Sequence, residues 1–138
     1  MQPDAVTAAM YARDATAQAL GITISQVDHG TATATLTVRD DMTNGLGVCH
    51  GGIIFTLADA AMAYASNAGN ERSLATSATV DFVAPAHVGQ TLTALATQIS
   101  KPGRSAIHDA MVRTEDGTVV ATFRGRTLSL PVPTIEPN

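Results

Sequence analysis

The sequence predicts an α+β fold in which a curved antiparallel sheet wraps around one apolar helix. Three observations carry this. The stretch from Gly51 to about Ala68 is apolar almost all round, with Ile53, Ile54, Phe55, Leu57, Met62 and Tyr64, and such a helix is normally covered by other structure. Thr31 to Val38 alternates strictly, Thr31, Thr33, Thr35 and Thr37 against Ala32, Ala34, Leu36 and Val38, which is the period of a strand with one buried face. Four strand-like segments then follow the apolar helix with no helix between them, which implies antiparallel pairing and helices segregated to one face.

Taken in order, Ala5 to Leu20 is rich in alanine with few breakers, and Gly21 is placed to end a helix there. Met10, Ala17 and Leu20 form its inward stripe. Ile22 to His29 reads as a strand and His29-Gly30 as the turn into the alternating strand that follows. Arg39 to His50 is a polar loop containing glycine. Beyond the central helix, Leu74 to Val83 and Gln90 to Ser100 read as strands, with Lys101-Pro102-Gly103-Arg104 as a turn. Ser105 to Thr114 and Thr118 to Leu130 flank Glu115-Asp116-Gly117, a hairpin signal. Pro131 to Asn138 holds three prolines and is expected to be a flexible tail. One long helix wrapped by such a sheet is the hotdog architecture, and the 138 residues make a single domain of it.

Composition excludes several functions. With 45% hydrophobic residues and modest charge, the chain is globular rather than disordered. No apolar run approaches the roughly 20 residues of a membrane span. Eight Lys and Arg against twelve Asp and Glu give a net charge of −4, and there is no tryptophan, so neither a basic stripe nor a stacking platform for nucleic acid is present. His29, His87 and His108 are scattered without ligand spacing, so no metal site is predicted. The N-terminus lacks the basic and apolar regions of a signal peptide, and the single Cys49 fits a reducing compartment, so the expected location is the cytoplasm.

The chemistry concentrates between Asn44 and Asn67. A glycine pair, Gly51-Gly52, opens the helix; a glycine start is expected to leave the first N–H groups without a side-chain cap and open to close approach. Those donors lie at the positive end of the helix dipole, where they favour an oxyanion or a polarised carbonyl oxygen. Asp59, set among Ala, Leu and Met, is costly to bury without a purpose. Acyl chemistry suits that pairing. Plainer readings exist for each residue: Asp59 as a structural carboxylate, the glycines as a device for tight packing, Asn44 as a turn former, His50 as a hydrogen-bonder that fixes the loop. Cys49 beside His50 does not make a dyad, because neighbours project in different directions, and it is expected to pack.

This segment resembles the active-site region of the phenylacetic acid degradation (PaaI-type) family of hotdog-fold acyl-CoA thioesterases. The likeness continues through Thr79-Val80-Asp81-Phe82, Pro85, Gly89, Leu92-Thr93-Ala94 and Phe123-Arg124-Gly125, and covers most of the chain from about Gly21 to Leu128. The resemblance implies that Asp59 is the catalytic carboxylate, as general base or nucleophile. It further implies that the Gly51 N–H polarises the thioester carbonyl, that Asn44 orients the thioester or water, and that His50 and Gly52 shape the loop. Where some relatives carry an assisting Thr one turn beyond the carboxylate, this chain has Ala63. The implied activity is hydrolysis of an aryl- or phenylacetyl-type CoA ester, with no cofactor beyond the coenzyme A of the substrate. The rivals are a hotdog hydratase-dehydratase acting on enoyl or hydroxyacyl thioesters, and a non-catalytic acyl-CoA-binding module.

Geometry adds one constraint. Gly51 and Asp59 are eight residues apart on one helix, about 12 Å along its axis, whereas a general base works within about 3 Å of its proton or through one water. One thioester cannot easily meet both groups of the same helix, which favours a composite site in a two-fold dimer. The family likeness extends this to a tetramer. Phe55, Met62, Tyr64 and Phe82 are candidates to line the acyl pocket. Arg124 and Arg126 share a strand face and, with Lys101 and Arg104, are candidates to meet the phosphates of coenzyme A.

Overall fold

Alanine and threonine alternation in the sheet, set against one apolar helix, fixes how the layers meet. The computed structural model describes residues 2–136. Two short helices, α1 (Pro3–Arg13) and α2 (Ala15–Leu20), lead into strands β1 (Thr23–Asp28) and β2 (Thr31–Thr37). The central helix α3 (Gly51–Asn67) follows, then β3 (Ser73–Phe82), β4 (Thr91–Ser100), β5 (Ser105–Arg113) and β6 (Val119–Ser129). All five strand pairings are antiparallel, in the order β1-β2-β4-β5-β6-β3. β3 therefore crosses the sheet after α3 and pairs with the last strand, Thr79 opposite Arg124. β1 and β3 are left as the two edges.

The inner face of the sheet is built from small residues. Ala32, Ala34, Ala94, Ala96, Ala110 and Ala121 are all buried, and α3 lays Ile54, Leu57, Ala58, Ala61, Met62 and Ala65 on them. Small residues let the helix axis approach closely. Gly125 is the extreme case, since a Cβ there would lie 2.3 Å from the Met62 sulfur.

Three expectations need correction. The N-terminal helix is broken at Asp14, whose side chain accepts from the Ala17 N–H at 3.0 Å and so caps α2. That capping bond competes with a continuous helix. Secondly, α3 is not wrapped on all sides: Gly52 is exposed, and Phe55, Thr56, Asp59, Ala63 and Ser66 are only half-buried along one stripe. Thirdly, the tail from Pro131 is docked as far as Ile135; Pro137 and Asn138 lie outside the described residues. Val132 accepts from the Arg72 N–H at 3.0 Å, and Ile135 exchanges two hydrogen bonds with the Asn70 side chain, at 2.9 and 3.0 Å. Asn70 is at φ 60, a left-handed position that asparagine tolerates.

Asn67 joins these parts. Its Nδ2 donates to Ala63 O (2.9 Å) and Ser73 O (3.1 Å), and its Oδ1 accepts from the Ser73 N–H (3.0 Å) and the Thr134 hydroxyl (2.7 Å). One buried amide thus ties the end of α3 to the start of β3 and to the tail. Asn67→Ala is expected to cost about 2–4 kcal/mol, mostly from stranding buried partners; a urea midpoint unchanged from the parent would refute this role.

No helix among the described residues is long and apolar enough to cross a membrane.

Candidate active site at the mouth of the central helix

The loop before α3 is organised by its own side chains. The Asn44 Oδ1 accepts from the Leu46 N–H at 2.9 Å and the Val48 N–H at 3.3 Å, while its backbone N–H donates to Val48 O at 2.8 Å. Asn44 is thus a turn former through its oxygen, with no acceptor for its side-chain NH₂ among the described residues. Gly47, at φ 80, supplies the left-handed step of the same loop.

His50 sets the entry to the helix. Its N–H donates to Met42 O at 2.8 Å, and its Nδ1 accepts the Gly52 N–H at 3.2 Å. The glycine start is therefore capped, contrary to the sequence expectation, by a residue type outside the usual Ser, Thr, Asp and Asn set. Accepting through Nδ1 leaves the ring proton on Nε2, which points its donor outward from an exposed residue. The Ile53 and Ile54 N–H groups both reach His50 O, at 3.0 and 3.3 Å. Of the first-turn donors, only the Gly51 N–H has no acceptor among the described residues. It lies at the positive end of α3.

Phe82, at the end of edge strand β3, covers Gly51. A Cβ on Gly51 would lie 2.9 Å from the tip of that ring, so glycine permits the approach. Beside them a cleft of about 340 Å³ is walled by Asn44, Val48, Cys49, Ile54, Phe82 and Pro85. Cys49 itself is buried at 4% exposure, and burial raises its thiol pKa, which fits a packing role.

Asp59 lies two turns further along, half-buried on the open stripe. No described residue bonds or ion-pairs with its carboxylate, and burial raises its pKa above the ordinary carboxylate value. A carboxylate so placed, when ionised, can accept a proton. Within one chain nothing brings it to the Gly51 N–H.

The other candidates divide. Phe55 packs edge-on against Phe123, with ring centroids 5.5 Å apart at 69°, on the same flank as Gly51 and Asp59. Met62 is 1% exposed against Gly125 and belongs to the core rather than to a pocket wall. Tyr64 is likewise corrected: it is 1% exposed, and its hydroxyl donates to Asp14 at 3.0 Å on the opposite flank of α3. Lys101 pairs with Glu71 at 3.0 Å, near the far end of α3 from Gly51. Arg104 is exposed and shares a surface hollow with Gly69, Asn70 and Glu71 at that end. Arg124 is held away from all of these. It grips Asp109 with two bonds of 2.6 and 2.8 Å on the outer face of the sheet, so its charge is already matched. Among the described residues no group of three His, Cys, Asp or Glu could hold a metal.

His108, counted in the sequence among scattered histidines, is fully buried on β5. Its Nε2 meets the Thr127 hydroxyl at 3.1 Å, its Nδ1 has no partner, and burial lowers its pKa. The alternation of β5 would have placed it inward.

Residues 46–121 match the family described as Thioesterase superfamily. The acyl-coenzyme A thioesterase PaaI of Escherichia coli K12 is 42% identical over 118 residues, 86% of this chain and 84% of that protein. The solved structure of the E. coli PaaI protein from the phenylacetic acid degradation operon superposes with a TM-score of 0.92 at 38% identity, covering 95% of each chain. The TT0310 protein of Thermus thermophilus superposes at 0.79 with 33% identity, over 83% of this chain and 96% of its own.

Proposed function

The chain belongs to the thioesterase superfamily, and we propose that it hydrolyses acyl-CoA esters of the aryl or phenylacetyl type to the free acid and coenzyme A. One observation supports this most: an unpartnered, half-buried carboxylate at Asp59 on the same helix whose mouth offers one free amide at Gly51. The substrate class follows from similarity to a protein named as an acyl-CoA thioesterase.

In this reading two copies pair with their α3 helices antiparallel, and each site takes Gly51 from one copy and Asp59 from the other. The thioester oxygen accepts the Gly51 N–H, and the helix dipole supports charge developing on that oxygen. Asp59 removes a proton from water as the hydroxyl adds to the carbonyl carbon. The carbon–sulfur bond then breaks, and the departing thiolate takes up that proton. Alternatively, Asp59 attacks the carbon itself, expels the thiolate and forms an anhydride that water opens. A single turnover in ¹⁸O-labelled water leaves label in the Asp59 carboxylate only by the second route with water opening the anhydride at the aspartyl carbon; if it opens at the acyl carbon, trapping with hydroxylamine as an Asp59 hydroxamate distinguishes the second route from the first. A thioester is reactive enough for one base and one oxyanion donor, so the reaction as proposed uses no metal or cofactor beyond the substrate's own coenzyme A.

Asn44 lines the same cleft, and its side-chain NH₂, which has no acceptor among the described residues, is assigned to hold substrate or water. Lys101 and Arg104 remain candidates for the phosphates, at the end of α3 that antiparallel pairing brings towards the partner's mouth. The outer face, where Leu95, Ile99 and Met111 are exposed, is a surface for joining dimers into a tetramer. The reducing cytoplasm suits the single free Cys49.

A hydratase would need His50 as a base, but its Nδ1 is occupied by the Gly52 N–H and its Nε2 carries the proton. Thiol trapping across acetyl-, hexanoyl-, benzoyl- and phenylacetyl-CoA tests the proposal. Thiol release with preference for the aromatic esters supports it; binding without release, or water addition to an enoyl-CoA instead, would replace it with one of the rivals.

A further inference from the structure

We propose that Thr56 holds the attacking water for Asp59, its hydroxyl oxygen accepting one water hydrogen while the carboxylate takes the other. This rests on the reading above in which Asp59 is the general base. Side chains on an α-helix lean back towards its N-terminus, over the residues three and four places before them. The Asp59 carboxylate therefore extends over Phe55 and Thr56. Of the four side chains three or four places from Asp59 (Phe55, Thr56, Met62 and Ala63), Thr56 alone carries an oxygen or nitrogen. Thr56 and Asp59 are both half-buried on the open stripe of α3.

The direction of one hydrogen bond gives this neighbour its use. The Thr56 hydroxyl donates to Gly52 O at 2.9 Å, within its own helix. Its hydrogen is thereby engaged, and what the oxygen still offers is acceptor capacity. It makes no hydrogen bond to Asp59. Helical side chains three places apart have Cβ atoms about 5–6 Å from one another, a gap that one water spans with two hydrogen bonds of ordinary length. Such a water meets two acceptors, so both its hydrogens point at the protein and a lone pair is left for the thioester carbon. Helix formation does not ask for this residue. Threonine is a weaker helix former than the alanines around it, and bonding back to the fourth preceding carbonyl slightly destabilises a helix. In the step itself the water oxygen bonds to the carbonyl carbon as Asp59 takes one hydrogen as a proton. The C=O π pair moves to the oxygen held by Gly51 of the other copy, and the second hydrogen stays on the new hydroxyl, directed at Thr56 Oγ1. Collapse breaks the carbon–sulfur bond, and the thiolate leaves with the proton from Asp59.

Thr56→Val keeps the shape and branching of the side chain and removes the hydroxyl, whereas Thr56→Ser keeps the hydroxyl. Valine should lower kcat for thiol release about 10–100-fold with KM within about threefold of the parent, the mark of an interaction made in the transition state. Thr56→Ala, which favours the helix, should show the same loss in a protein that melts no lower than the parent. Serine should keep at least about a third of the parental kcat, because it restores the acceptor. Since the hydroxyl hydrogen goes to Gly52 rather than to Asp59, the acid limb of the valine rate profile should coincide with the parent's. Parental kcat in the valine and alanine variants would overturn the assignment, and so would a folded serine variant as impaired as valine. A displaced acid limb would overturn it too, because Thr56 would then tune the carboxylate instead of holding water. Capture of an Asp59 hydroxamate would do the same, since that route has no water in its first step. Each of these results leaves the thioesterase reading intact so long as the parent releases thiol; a parent that releases none overturns both.

Discussion

Asp59→Ala is expected to lower the turnover number for thiol release by roughly 10²–10⁴-fold, the usual contribution of a positioned base, while the protein remains folded and dimeric. The side chain makes no hydrogen bond or ion pair with any described residue, so its removal leaves no stranded partner. Asp59→Asn sharpens the test, because it keeps the shape and removes only the charge. Burial raises the folded-state pKa of Asp59 above its unfolded value. The folded protein therefore holds the proton more tightly, and stability falls as pH rises from the ordinary carboxylate range, about 3.9, through the raised folded value. At neutral pH the ionised group is a cost to folding in the single chain. Asp59→Asn should thus melt no lower than the parent at pH 7 while losing activity. The acid limb of the parent's rate profile should also lie above the pKa of a free aspartate, since the base must be ionised to act. Asparagine or alanine variants that release thiol at the parental rate would remove Asp59 from the reaction.

Gly51→Pro is the second large effect: it deletes one hydrogen-bond donor and, like alanine, adds a Cβ that meets the Phe82 ring. Gly51 occupies the first helical position, where proline fits because its missing N–H has no partner within the helix. The residue before a proline must be extended, and His50 already is, at φ −61 and ψ 134. The helix should therefore form as before, with its oxyanion donor gone, and turnover should fall about 10²–10³-fold. Gly51→Ala is the control. It keeps the N–H but adds a Cβ that would approach the Phe82 ring to 2.9 Å, and that ring, at 55% exposure, can swing aside. Alanine should lose less than about tenfold, as expected of a lost packing contact rather than a lost donor. Equal activity in the proline and alanine variants would show that the Gly51 amide does not bind the substrate oxygen.

Much of this could be read along the chain because it is written in short periods. The two-residue alternation of Thr31 to Val38 marks β2 and its buried face, and the hairpin at Glu115-Asp116-Gly117 joins β5 to β6 as expected. Gly21, at φ 70, ends the second N-terminal helix where a glycine was expected to end one. The loop, the glycine pair and the lone carboxylate could be singled out because polar groups in an apolar segment need a reason. Less legible were bonds that depend on what lies across space. The cap on Gly52 comes from a histidine, which carries no general N-cap signal. The break at Asp14 depends on a carboxylate that serves both Ala17 and, from fifty positions along, Tyr64.

By itself, then, the sequence determined the α+β class and the position of every strand to within a few residues, and it singled out Gly51 and Asp59 as candidates. These follow from local pattern and residue chemistry, whereas the family came from resemblance to known motifs. Tertiary structure alone decided that β3 travels to the far edge beside β6, that Met62 and Tyr64 are spent on packing, and that Arg124 is matched by Asp109. It also decided that the tail is clamped through Asn67 and Asn70, and that one stripe of the central helix stays open. The physical reason is the same in each case. Periodicity tells a side chain which face of its own element it occupies, whereas its partner depends on which other surface reaches that face once the whole chain has folded.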